Sequence, residues 1–165
     1  PRVTVATAFF TVAMADRGSD LLVREVDRLR EAVRATRRER PFGVEAWVVL
    51  PDHLHAVWTL PEGDADYSTH WRLIKARFAA GLPPDDTRSA SKVGKGEKGI
   101  WQRRFWEHHI RTAGDLEAHV RYCWLNPVKH GLVERPMDWL WSSIHRDHRA
   151  GRVPAEWGAV SDSAP

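Results

Sequence analysis

The stretch VEAWVVLPDHLHAVWTL, residues 44–60, decides the fold. It reads as strand, brief turn, strand, over about 44–50 and 53–60, with the joint at Pro51-Asp52. Side chains alternate across a strand, so residues i and i+2 share a face. His53 and His55 therefore face one way, while Leu54, Ala56, Trp58 and Leu60 face the other and suit a core. Two imidazoles on one face of a rigid strand make a two-point metal site. A third ligand must come from elsewhere in the chain.

Outward from this hairpin, the pattern gives a strand over residues 3–13 and an amphipathic helix over Ser19–Arg38, with Leu22, Val26, Leu29 and Val33 on one face. The helix is arginine-rich, but Glu25, Asp27, Glu31 and Glu39 offset the charge, so that side reads as a solvated surface. Pro41 and Gly43 end it. On the other side, a helix is expected over about Tyr67–Ala80, a mobile loop over residues 81–99, and a strand over about 104–111. Thr112 and Asp115 then have N-terminal capping spacing ahead of a helix that buries Leu116, Val120 and Cys123 or Trp124. Tyr122 and Asn126, four apart, share one face of that helix. Pro127 disfavours helical geometry at the residue before it, so the helix is expected to end at Asn126. The order strand-helix-strand-strand-helix-strand matches a ferredoxin-like antiparallel sheet of the α+β class, with the tyrosine helix following the last core strand. One domain over residues 1–150 and a loosely attached tail over 151–165 complete the expected organisation.

A phenol and a carboxamide on one helix face, set against a histidine pair, suggest a nucleophile and a third metal ligand. PDHLH (residues 51–55) followed by YxxxNPVKHGLV (residues 122–133) resembles the REP-associated tyrosine transposases, a branch of the single-tyrosine transposases and nucleases with a His-hydrophobic-His motif. GIWQRRFWEHHIR (residues 99–111) and the helix around Trp71 and Lys75 are similar to the family as well, and the resemblance spans roughly residues 3–150. Asp52 departs from the Asn of many relatives and adds negative charge beside the histidines. The resemblance implies the ferredoxin-like fold, a nucleophilic Tyr122, and a divalent metal ion, Mg²⁺ or Mn²⁺, on His53, His55 and Asn126. It also implies a 5′-phosphotyrosine intermediate and palindromic or hairpin DNA as substrate.

Composition narrows the function classes. Hydrophobic and charged contents of 42% and 28% are ordinary for a globular chain, and no apolar run approaches membrane-span length. No secretory signal pattern is visible, and one cysteine, Cys123, excludes an internal disulfide, so a cytoplasmic setting beside nucleoid DNA is expected. The first residue is Pro1, which allows for trimming of the N-terminus. Net charge is only +3, yet residues 72–104 carry nine Lys or Arg against three acids. That local excess suits a phosphate backbone, and the interleaved Trp71, Trp101, Phe105 and Trp106 suit unpaired bases. Candidate DNA contacts are Trp71, Arg72, Lys75, Trp101, Gln102, Arg103, Arg104, Lys129 and His130, with Trp71 or Trp101 the expected stacking ring. Lys129 and His130 serve equally as helix C-terminal charges.

The chemistry fits this donor set. A phosphodiester repels an anionic nucleophile, and a bound divalent cation offsets that charge and polarises phosphorus. A nitrogen-rich site suits Mn²⁺, Co²⁺ or Zn²⁺ better than Mg²⁺. A phenol ordinarily titrates near pH 10, so a neighbouring cation is needed to favour the phenolate. The expected activity is metal-dependent cutting and joining of single-stranded or hairpin DNA by a monomer or homodimer. A replication or relaxation initiator shares the chemistry but is expected to carry further domains. A hairpin-binding regulator without catalysis and a hydrolase using activated water are the readings from other classes.

Overall fold

The computed structural model describes residues 6–85, 89–96 and 98–158. Its elements are β1 (Ala6–Ala13), α1 (Leu21–Arg24), α2 (Val26–Glu39), β2 (Gly43–Val49), β3 (His53–Leu60), α3 (Tyr67–Ala79), α4 (Ala90–Gly94), β4 (Trp106–Ile110), α5 (Ala113–Lys129), α6 (Ile144–Arg149) and α7 (Ala155–Gly158). The strands form one sheet in the order β2-β3-β1-β4, antiparallel throughout. This is the ferredoxin-like arrangement expected from the element order: helical crossovers insert β1 between β3 and β4.

The pleat of β3 sorts its side chains onto two cores. Leu54, Ala56, Trp58 and Leu60 join Ala8, Phe10 and Val12 of β1 on the face covered by α2 and α3. Trp58 stacks on Trp71 of α3 at 4.1 Å between ring centroids, and the Phe42 ring packs against Trp58 at the same 4.1 Å. On the opposite face, Val57, Phe9, Ala46 and Val48 pack with Cys123 of α5. His53 and His55 lie on this second face, across from Ala13 and Thr11 of β1.

Three sequence expectations change. The helix does not stop at Asn126, because α5 runs on to Lys129 with Pro127 inside it. Pro127 removes one backbone donor, but the end is set a turn later by Gly131, whose φ of 69° is in the left-handed region. There Gly131 N–H donates to the Val128 carbonyl and Leu132 N–H to the Pro127 carbonyl, each at 2.9 Å. The segment 81–99 is not wholly irregular, since Ala90–Gly94 forms α4 capped by the Ser89 side chain; residues 86–88 and 97 lie outside the described residues. The tail is packed through residue 157: Val153 is buried with Trp124 and Ile144, and Trp157 meets Trp124 edge-on at 6.0 Å. Residues 159–165, like the first residues of the expected N-terminal strand, lie outside the described residues.

The segment after α5 protects the edge of β2. Val49 N–H donates to the Trp141 carbonyl, Ser143 N–H to the Trp47 carbonyl, and Arg146 donates to the carbonyls of Val44 and Glu45 at 2.8 and 2.7 Å. Such cover satisfies backbone groups that would otherwise invite pairing with another chain. His145 is half-buried and bonds the Trp139 carbonyl through Nε2 at 2.6 Å.

Trp58 is fully buried at the centre of the larger core. Trp58→Ala is expected to lower unfolding free energy by about 3–5 kcal/mol through lost burial and an incompletely collapsed cavity. Urea denaturation followed by circular dichroism measures this directly.

Candidate active site and nucleic-acid interface

Four side chains converge where α5 crosses the end of β3. His53 and His55 sit on adjacent same-face positions with ring centroids 5.0 Å apart, and both are buried. Each ring is fixed from behind through Nδ1. His53 Nδ1 donates to Asp52 Oδ1 at 2.7 Å, and Arg17 Nε holds the other Asp52 oxygen at 2.9 Å. His55 Nδ1 bonds Thr11 Oγ1 on the neighbouring strand at 2.8 Å. A partner at Nδ1 of this kind sets ring orientation and leaves Nε2 for a ligand.

Asn126 projects from α5 into the same place and is fully buried. Its Oδ1 and Nδ2, and His55 Nε2, have no hydrogen-bond partner among the described residues. The carboxamide lies close enough to favour protonation of His55, yet no bond of normal geometry joins them. Buried polar groups are costly when unpaired, so these three atoms are candidate contacts for a ligand. Two imidazole nitrogens and an amide oxygen fit a divalent transition metal or Mn²⁺ by donor type.

Burial dominates the protonation of both histidines. It pushes His55 down to about 3, helped by neighbouring positive charge from His53, His130 and Lys129. Burial likewise lowers His53, although Asp52 works against that shift. For Asp52, burial opposes ionisation, but the bonds from His53 and Arg17 prevail and hold its carboxyl below the usual range. The pair is therefore neutral near pH 7, as metal ligation requires.

Tyr122 stands one turn before Asn126, partly exposed, with its ring edge-on to His55 at 5.2 Å and to Phe9 at 5.7 Å. Lys129 Nζ donates to its hydroxyl oxygen at 3.2 Å and also lies 5.0 Å from the ring centre. Lys129 joins Tyr122 and Asn126 on one face only because α5 continues through Pro127. His130 caps that helix, with its ring 5.2 Å from His53. The structure thus brings His53, His55, Tyr122, Asn126, Lys129 and His130 together.

The remaining predicted contacts gather elsewhere. Trp71, Arg72, Lys75, Trp101, Gln102, Arg103 and Arg104 line a groove of about 810 Å³ beside α3. The two tryptophans are corrections as stacking rings. Trp71 is 1% exposed against Trp58, and Trp101 is 9% exposed, with its indole N–H bonded to the Lys75 carbonyl. Hydrophobic burial claims both rings before any base can. Lys75 Nζ bonds the Gln102 carbonyl at 2.9 Å, and so braces the groove wall from within. Arg72, Gln102, Arg103 and Arg104 are exposed.

Trp106 is among the interleaved aromatics of the basic segment but not among the predicted DNA contacts. It opens β4 opposite Thr11, the partner of His55, and is 67% exposed. Alternation from His108 back along β4 puts Trp106 on the tyrosine side of the sheet, a signal that was legible once β4 was placed. His108 lies on the same face, beside Asp115 and His119 of α5. These three form a His/Asp group of possible metal ligands.

No family model matches. A REP-associated tyrosine transposase of Escherichia coli K12 is 46% identical over 157 residues, covering 94% of this chain and 87% of the relative. A Haemophilus influenzae protein provisionally given the same name is 41% identical over 155 residues, covering 93% and 88%. A solved structure of a REP-associated tyrosine transposase bound to a REP hairpin superposes with a TM-score of 0.81 at 42% identity, covering 99% of this chain and 92% of that one.

In metal-free protein, the lowered histidines imply acid sensitivity. The unfolded chain binds protons near pH 6.5, whereas folded His55 resists until about 3, so stability is intact above pH 6.5 and falls as pH drops toward 3. Each such proton contributes at most about 1.4 kcal/mol per pH unit. Urea midpoints from pH 7 to 4.5 are expected to fall less steeply in His55→Gln than in wild type.

Proposed function

The chain belongs to the REP-associated tyrosine transposase family, and from that premise we propose that it cuts and rejoins single-stranded DNA at a hairpin through a covalent bond to Tyr122. One observation carries the reading: a lysine-paired phenol stands beside a buried His/His/Asn set in which His55 Nε2 and the Asn126 carboxamide have no partner among the described residues. Binding alone requires no such set.

In this reading Tyr122 Oη attacks the phosphorus of a scissile phosphodiester. The Oη–P bond forms, the P–O3′ bond breaks, and the products are a 5′-phosphotyrosine and a free 3′-hydroxyl. The phenol proton leaves to solvent, and the leaving oxygen takes one from water. Lys129, already 3.2 Å from Oη, stabilises the phenolate and lowers the cost of that proton loss. A divalent cation on His53, His55 and Asn126, Mg²⁺ or Mn²⁺ as in the family reading, would neutralise charge on a non-bridging oxygen and polarise phosphorus. Asp52 holds His53 in the tautomer that leaves Nε2 unprotonated, and the Thr11 hydroxyl at Nδ1 orients the His55 ring with Nε2 toward the site. Because the ester bond retains the energy of the broken diester, a second 3′-hydroxyl can reverse the step and join strands without ATP.

DNA would reach the site along two surfaces. Exposed Arg72, Arg103 and Arg104 around the groove suit duplex phosphates of a hairpin stem. Trp106 offers a free ring face near the histidines to an unpaired base. The solved relative bound to a REP hairpin supports the same class of partner.

The decisive experiment incubates protein with labelled hairpin DNA from beside its own gene, with Mn²⁺ or Mg²⁺ or with chelator. A denaturation-resistant adduct is expected with metal, absent with chelator and absent in Tyr122→Phe. Cleavage surviving in Tyr122→Phe without an adduct would assign a water-activating hydrolase instead. Lys129→Met is expected to slow adduct formation about 10- to 100-fold, which corresponds to about 1.4–2.7 kcal/mol of barrier. Trp106→Ala is expected to weaken single-strand binding by about 1–3 kcal/mol while leaving duplex binding unchanged, read by fluorescence anisotropy.

A further inference from the structure

A second cluster of metal-ligating side chains lies apart from the His53/His55 pair. His108 of β4 and Asp115 and His119 of α5 each offer one ligand atom, and those atoms all lie within 4.8 Å of one another. His108 Nε2 bonds Asp115 Oδ2 at 2.8 Å, and His119 Nδ1 lies 3.0 Å from Asp115 Oδ1, so one carboxylate spans both rings. The imidazoles stack at 4.8 Å with 21° between planes. All three side chains keep partial access to solvent, at 43%, 28% and 25% for His108, Asp115 and His119. Phe9 separates the two clusters, with its ring 4.8 Å from His119 and 5.5 Å from His55.

We propose that His108, Asp115 and His119 bind a transition-metal cation of the Zn²⁺ class, which staples β4 to the first turns of the tyrosine helix. Two nitrogens and one carboxylate oxygen are a common three-ligand set for Zn²⁺, with a fourth position for water. Hard cations such as Mg²⁺ prefer all-oxygen surroundings, so this site discriminates against them. Ligation needs a lone pair on each coordinating nitrogen. A ring whose N–H now points at Asp115 therefore moves that proton to its other nitrogen, with no net change in charge. Backbone geometry already supplies the frame. Thr112 Oγ1 accepts the Asp115 N–H at 3.1 Å and fixes the helix start, from which Asp115 and His119 project one turn apart. His119 lies three residues before Tyr122, so a cation there would restrain the helical turn that carries the phenol. Neither the transposase reading nor the His53/His55 site is needed for this binding.

The test uses the full chain, stripped of metal by chelator, with Zn²⁺ itself as the probe. Binding is measured by competition with a chromophoric chelator in His53→Ala/His55→Ala, which lacks the other histidine pair. One Zn²⁺ equivalent is expected, and adding His108→Ala/His119→Ala is expected to weaken binding at least tenfold. Co²⁺ in place of Zn²⁺ is expected to give visible d–d absorption that the added substitutions abolish. No zinc bound by a folded His53→Ala/His55→Ala protein, or equal binding after His108→Ala/His119→Ala, overturns the proposal. Should the first variant not fold, wild type is compared with His108→Asn/His119→Asn. One equivalent fewer in the variant supports the site, and equal stoichiometry overturns it.

Discussion

The pleat of β3 is the constraint on which this protein's site depends. Because alternate residues face opposite sides, the four apolar side chains from Leu54 to Leu60 that anchor β3 in the larger core necessarily send His53 and His55 to the other face. A one-residue slip would exchange the two sets, burying imidazoles among Trp58's neighbours and turning Leu54 to the α5 face. Register is therefore held by the same hydrophobic burial that stabilises the fold. The pair is then aimed by Thr11 and Asp52, the first a cross-strand partner and the second in the turn.

Helix α5 supplies the other half, and its length matters as much as its position. With Cys123 against the sheet, Asn126 is driven into the buried space opposite the histidines. The extra turn through Pro127 brings Lys129 round to Tyr122. The cost of a missing backbone donor at Pro127 is small beside the packing on either side, and the left-handed Gly131 closes the helix end. Stability and chemistry are in tension here. Buried polar atoms on His55 and Asn126 without partners among the described residues cost stability, and a ligand bound to them would recover that loss.

Tryptophan usage divides along the same lines. Trp58 and Trp71 stack in the core, and Trp101 spends its indole N–H on a backbone carbonyl. Trp106 alone of those near the basic segment is widely exposed. Basic residues around the groove divide too, since Lys75 and Lys98 brace the loop backbone while Arg72 and Arg104 face solvent.

Much of this was legible in the linear chain. Period-two alternation in residues 53–60 separates the histidines from the core, the order of strands and helices selects the ferredoxin-like sheet, and the spacing of Tyr122 and Asn126 puts them on one face. These are local properties, set by dihedral geometry within a few residues. Local rules failed where distant packing intervened. Pro127 continued a helix because Gly131 and the sheet beneath it stabilise the extra turn, and Trp71 was lost to Trp58 because burial outweighs exposure for a large ring. The grouping of His108 with His119, the position of Trp106 near His55, and the docking of Trp157 on Trp124 arise between elements far apart in sequence. Only the tertiary structure decides such meetings, because strand register and helix docking, not neighbouring residues, determine which side chains come within reach.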